Sequence, residues 1–97
     1  MMDDDERFSL EDFPCPAGFR VRSLHLEPHD AMDWQADWAE ALVVVEQGEM
    51  EIECASGVRA RFDAGAVLTF DGLSLRRLHN CGETRVVVTL LSRQITP

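Results

Sequence analysis

The three His and three Cys of this chain are the side chains whose chemistry is easiest to name, and their spacing argues against most of it. Cys15, Cys54 and Cys81 are odd in number, widely separated and never two residues apart, so they read as free thiols in a reducing compartment. His25 and His29 flank Pro28 and do not share a strand face. A metal site drawing on His25, His79 and either Cys54 or Cys81 needs a register that the apolar alternation does not supply. Cys54 falls on an apolar face, where a thiol is a poor nucleophile, and Cys81 has only His79 nearby to serve as a base. With no Lys and no Tyr, Schiff-base chemistry and Tyr-mediated proton transfer are excluded. Asp37 and His79 remain as candidate acid/base groups for catalysis. Glycine-rich phosphate loops, nucleophile elbows and paired-Cys zinc signatures are absent.

These residues are carried by short strands. Glu49 to Cys54 alternates without a break, placing Met50, Ile52 and Cys54 on one face and the three Glu toward water. A loop of Ala55, Ser56 and Gly57 then pairs Cys54 with Val58, Ile52 with Ala60 and Met50 with Phe62. The same register sets Glu53 opposite Arg59 and Glu51 opposite Arg61, and a slip of one residue breaks every one of these pairs. Further strands are expected over Phe19–Glu27, Ala66–Phe70, Leu73–Leu78 and Arg85–Leu91, with turns at Gln47-Gly48, Asp63-Ala64-Gly65 and Asp71-Gly72. Residues 30–41 carry both a helical and an alternating pattern. The surrounding run of strands favours an extended reading, in which odd positions from 35 to 45 share the face of Met50 and Ile52. Turns every eight to twelve residues and no sustained helix predict an all-β barrel or sandwich.

A chain of 97 residues, 45% apolar, buries one modest core. Residues 1–18, acidic and carrying Pro14, Pro16 and Gly18, read as a disordered or draped segment, and 19–97 as the single domain. So small a domain without disulfides is expected to self-associate as a homodimer. The net charge of −9 is unevenly spread: residues 1–53 hold fifteen acids and three Arg, residues 54–97 three acids and six Arg. Nucleic acid and anionic membranes are repelled, while the two halves attract each other. Neither a secretory signal nor a membrane span is visible, so a cytoplasmic location is expected.

The glycine and asparagine spacing resembles the cupin superfamily, in its small single-domain jelly-roll form. Gly65, Asn80 and Gly82 stand where the second cupin motif has Gly, Asn and Gly, but Asp71 replaces its Pro, Leu73 its Gly and Arg76 its metal-binding His. For the first motif, Gly48 matches the closing Gly, Ala41 stands at the Glu, and Gln35 with Asp37 (or Trp34 with Ala36) at the paired His. The resemblance implies a cupin-like jelly-roll β-barrel over roughly residues 19–92 without the metal ligands, and so no metal and no other cofactor. Gln, Asp, Ala and Arg do not offer converging lone pairs to a divalent ion.

At those substituted positions Gln35 and Asp37 are expected to point into the barrel near Arg76. Two readings are open: a structural ion pair filling the former metal space, or a pocket in which Arg76 grips an anionic ligand while Asp37 or Gln35 orients it. Trp34 and Trp38 bracket the same segment, either as stacking surfaces for a planar ligand or as part of a dimer interface. Three functions follow as expectations. The first is a metal-free module binding a small polar or anionic organic molecule, as a sensor or accessory protein. The second is a metal-independent isomerase, cyclase or lyase, and the third a dimeric scaffold with a filled barrel.

Overall fold

In a computed structural model, which describes residues 9–11 and 14–93, eight strands follow one another with a single 3-10 turn between them. They are β1 (Phe19–Leu26), β2 (Ala31–Asp33), β3 (Leu42–Gln47), β4 (Glu49–Cys54), β5 (Arg59–Asp63), β6 (Val67–Thr69), β7 (Leu75–His79) and β8 (Val86–Arg93); the turn, η1, is Ala36–Trp38. Two four-stranded antiparallel sheets result, ordered β1-β8-β3-β6 and β2-β7-β4-β5. This is the all-β architecture that the strand spacing predicts and the jelly roll that the resemblance implies, but the sheets stay open at their edges instead of closing into a barrel. No helix among the described residues is long and apolar enough to cross a membrane.

The β4–β5 hairpin has the register demanded by its alternation, with Met50 opposite Phe62, Glu51 opposite Arg61, Ile52 opposite Ala60 and Glu53 opposite Arg59. Inward residues of both sheets form one core, including Val43, Val45, Met50, Ile52, Leu78, Val86, Val88 and Leu90. Arg and Glu of opposite halves of the chain meet because β1 and β3 flank β8, and β4 lies beside β5 and β7. Arg59 lies 2.8 Å from Glu51, Arg85 2.8 Å from Glu27 and Arg77 2.8 Å from Asp33.

Two glycine-and-asparagine signatures of the sequence prove architectural. Gly48 turns β3 into β4 at a φ of 80°, and a Cβ there would stand 2.5 Å from the Arg85 carbonyl oxygen. Asn80, 1% exposed, donates from Nδ2 to the carbonyls of Leu26 (3.0 Å) and Thr84 (2.8 Å), and its Oδ1 accepts the Gly82 N–H at 3.0 Å. One side chain thereby satisfies three backbone groups where β7 ends.

The extended reading of residues 35–41 does not hold. After β2 the chain turns through η1 before β3 begins. An unbroken strand in that phase would leave Trp34 and Trp38 on the face opposite the core. The turn instead buries Trp38 completely and packs Trp34 against the core, with ring centroids 5.7 Å apart and each about 6.3 Å from Phe70. Burying an indole is worth about 4–6 kcal/mol by area, more than the few ladder hydrogen bonds that a longer strand would add.

Candidate functional site

Breaking the strand changes where Asp37 points. Its carboxylate meets Arg22 at 2.7 Å and Arg20 at 3.6 Å, both on β1. In that strand Arg20, Arg22, Leu24 and Leu26 are in phase, and Leu24 and Leu26 pack in the core. The two Arg therefore continue the inward face of the first sheet past the last core residue, to the open end of the sandwich. There, between η1 and the ends of β1 and β8, lies a cleft of about 460 Å³ lined by Arg20, Asp37, Glu40, Ser92, Arg93 and two alanines. Its rim carries two guanidinium groups and two carboxyl groups. A carboxylate or phosphate can take two donors from an Arg fork, while Asp37 and Glu40 can accept from hydroxyl or ammonium groups.

The expected neighbour of Asp37 is elsewhere. Arg76 is 61% exposed and lies 3.8 Å from Glu53 on the outer face of the second sheet. A bulge in the pairing of β4 with β7 falls at this point, since Glu53 faces Arg77 and Cys54 faces Leu75. That irregularity lets Arg76 leave the inward phase that the cupin spacing implies. Gln35 is exposed, and of the positions 35, 37, 41 and 76 only Ala41 is buried in the core. Trp38 is a core residue and Trp34 is partly buried against the core, on either side of the η1 residues that line the cleft. Trp38 Nε1 is buried with no hydrogen-bond acceptor among the described residues.

The outer face of the second sheet carries a second polar cluster. His79 Nε2 sits 2.6 Å from Glu53 Oε1, as the outward phase of His79 implies. Beside them Glu51, expected to face water, is only 8% exposed. Arg59 donates to it at 2.8 Å, Arg61 at 3.4 Å and the Cys81 thiol at 3.4 Å, and these side chains cover it. Burial pushes the Glu51 carboxyl up, but the bonds from Cys81, Arg59 and Arg61 together hold it below the ordinary value. Glu53 is held low chiefly by the bond from His79. Burial and the adjacent Glu51 carboxylate push the Cys81 thiol up, away from the thiolate a nucleophile needs. No three His, Cys, Asp or Glu side chains among the described residues converge with metal-binding geometry.

Sequence reasoning missed Arg20 and Arg22 as the partners of Asp37. The signal was present: two Arg in phase with Leu24 and Leu26 on an alternating strand are charges aimed at the interior, and such charges need a counter-ion.

No protein-family model and no curated protein matches the sequence. Solved structures do match the fold. A Cupin 2 conserved barrel domain protein from Salinispora arenicola CNS-205 superposes with a TM-score of 0.66 at 17% identity, over 77% of this chain. This chain spans 62% of that protein's length. The Cupin_2 domain of an XRE family transcriptional regulator from Enterobacter cloacae gives 0.63 at 21% identity, over 81% of this chain and 84% of that one. Unsaturated fatty acid-bound ToxT from Vibrio cholerae also gives 0.63, at 13% identity, over 84% of this chain and 31% of that one. The chain has the cupin fold.

Proposed function

We propose that the protein is a metal-independent cupin-fold module that binds a small polar or anionic organic molecule, in a sensor or accessory role in the cytoplasm, and that it works as a homodimer. The observation that carries this reading is the cleft of about 460 Å³ between η1 and the ends of β1 and β8, lined by Arg20 and Arg93 together with Asp37 and Glu40. That volume falls within the roughly 300–1,000 Å³ of small-molecule sites. Mixed charge around an opening of this size suits a carboxylate that also bears a hydroxyl or amino group. That a similar fold occurs in a transcriptional regulator in one case and in a fatty acid-bound protein in another agrees with a ligand-responsive role.

The test is a thermal-shift screen against hydroxy and amino carboxylic acids, followed by calorimetry on the hits. Arg20→Ala and Asp37→Ala are each expected to weaken binding about tenfold or more. Undiminished affinity in both variants would remove the cleft as the site. Arg76→Ala separates the alternatives: it leaves binding in the cleft unchanged, whereas loss of binding there would move the site to the outer face of the second sheet.

A second reading, acid/base catalysis, is favoured by one observation. The 2.6 Å contact between His79 and Glu53 fixes an imidazole against a carboxylate, the arrangement that orients a general base. Turnover lost in His79→Gln but kept in Asp37→Asn would support it.

A further inference from the structure

The two guanidinium groups that meet Asp37 do so unequally. Arg22 Nη2 stands 2.7 Å from Oδ2, and Arg20 Nη2 stands 3.6 Å from the same oxygen, so that neither contact falls on Oδ1. Their places on β1 explain the difference. Arg22 is the register partner of Leu90, a core residue, whereas Arg20 is the partner of Ser92, which lines the cleft. Arg20 therefore belongs to the cleft wall and Arg22 does not. The wall alone is balanced, with Arg20 and Arg93 against Asp37 and Glu40. Counting Arg22 as the partner of Asp37 sets three guanidinium groups against two carboxylates, a local positive surplus in a chain whose net charge is −9.

We infer that Arg22, by matching the charge of Asp37, makes the cleft select monoanionic 2-hydroxy carboxylates against 2-amino carboxylates of the same shape. This rests on the binding site proposed above and names its ligand class. Arg20 and Asp37 present a donor fork and an acceptor only 3.6 Å apart, so the carboxylate and the hydroxyl that they bind sit on neighbouring carbons. Near pH 7 a hydroxy acid carries one negative charge, while an amino acid carries one of each sign. A single negative charge matches the surplus. An ammonium group bonded to Asp37 Oδ1 would instead lie roughly 5 Å from the Arg22 guanidinium, where like charges repel, and more strongly once the ligand has expelled water. A hydroxyl donates to the same oxygen and brings no charge. Arg22 is thus a positioning residue that acts through Asp37, raising the cost of the wrong ligand without touching the right one.

Calorimetry of the full chain near pH 7 tests this with matched pairs: lactate and alanine, 2-hydroxy-4-methylpentanoate and leucine, phenyllactate and phenylalanine. Wild type is expected to bind the hydroxy member of a pair about tenfold or more tightly than the amino member. Arg22→Gln is expected to shrink that ratio about fivefold or more, chiefly by improving the amino member, while Arg22→Lys keeps the charge and the preference. Asp37→Ala in the Arg22→Gln chain is expected to cancel the improvement, which passes through that carboxylate. Exposed pairs of this kind add little to folding, so the variants are expected to stay folded. Wild type that binds both members equally, or Arg22→Gln that weakens both by the same factor, would overturn the inference and leave the cleft as the site. If no pair binds but the thermal-shift screen yields a ligand of another class that Arg20→Ala loses, the inference falls alone. If no ligand of any class binds, the site falls with it.

Discussion

At the scale of single residues, the two tryptophans tie stability to the cleft. Trp38 is completely buried and Trp34 packs on it edge to face, while Asp37, its neighbour in η1, reaches the cleft. Trp38→Ala is expected to cost about 3–5 kcal/mol, readable as a fall in the denaturant midpoint. Trp38→Phe is expected to cost far less than that, because it keeps much of the ring burial and removes an indole N–H that has no acceptor among the described residues. A Phe variant as unstable as the Ala variant would show that the indole N–H is satisfied after all. Both Trp of the chain flank the cleft segment, so a ligand entering beside Asp37 is expected to change the intrinsic emission of the folded protein. The Asp37 pairs themselves contribute little to folding. They join side chains that are more than a third exposed, and such pairs are worth about 0–1 kcal/mol. Asp37→Ala should therefore change binding without lowering the melting temperature appreciably, a separation that makes it a clean probe of the site.

Among the elements, the β4–β5 hairpin was legible because two independent patterns demanded the same register: three apolar pairs on one face and two Glu–Arg pairs on the other. The β3–β4 turn was legible from Gly48, and Gly48→Ala is expected to destabilise by about 1–3 kcal/mol, since the new methyl meets a carbonyl oxygen while the backbone keeps a positive φ. A melting temperature unchanged in Gly48→Ala would mean that this turn relaxes freely. Residues 35–41 were misread because alternation is blind to size. The pattern assigned Trp34 and Trp38 to one strand face with equal weight to the small residues between them, whereas the energetics of two indoles decide the matter and bend the chain through η1. The same error misplaced the partners of Asp37: it lines a cleft, and its guanidinium partners come from β1 instead of Arg76. Phase counting also fails at a bulge, which is why Arg76 points outward although it occupies the position of a metal-binding His. Pairing across the outer face, by contrast, hid Glu51 from water in a way that no count along one strand can foresee, because its cover comes from Arg59, Arg61 and Cys81 on other segments.

For the whole molecule, the division of charge between an acidic first half and a more basic second half becomes a set of contacts across the sheets. Most of them are exposed. Arg77–Asp33 and Arg85–Glu27 join side chains that are 41–80% exposed, and each is worth at most about 1 kcal/mol and is screened by salt. Glu51 is different, because its carboxylate is buried and holds three donors. Its folded-state pKa, like that of Glu53, lies below the ordinary carboxylate value, so the unfolded chain takes up protons before the folded one does. The stability from both groups is therefore fully present above the ordinary carboxylate range, and it is lost as the pH falls through that range toward the lowered folded values. The melting temperature is expected to stay level from neutral pH down to about 5 and then to drop. Glu51→Gln is expected to be less stable than wild type at pH 7, by about 1–3 kcal/mol, because Arg59 and Arg61 lose their shared charge. As the pH falls through the ordinary carboxylate range the gap should narrow, since the unfolded wild-type chain then takes up a proton at Glu51. Thermal melts of both proteins between pH 3 and 8 check this: a gap that stays constant across the range would mean that Glu51 contributes by packing and not by charge, and the cluster on the outer face would then have no part in the acid sensitivity of the fold.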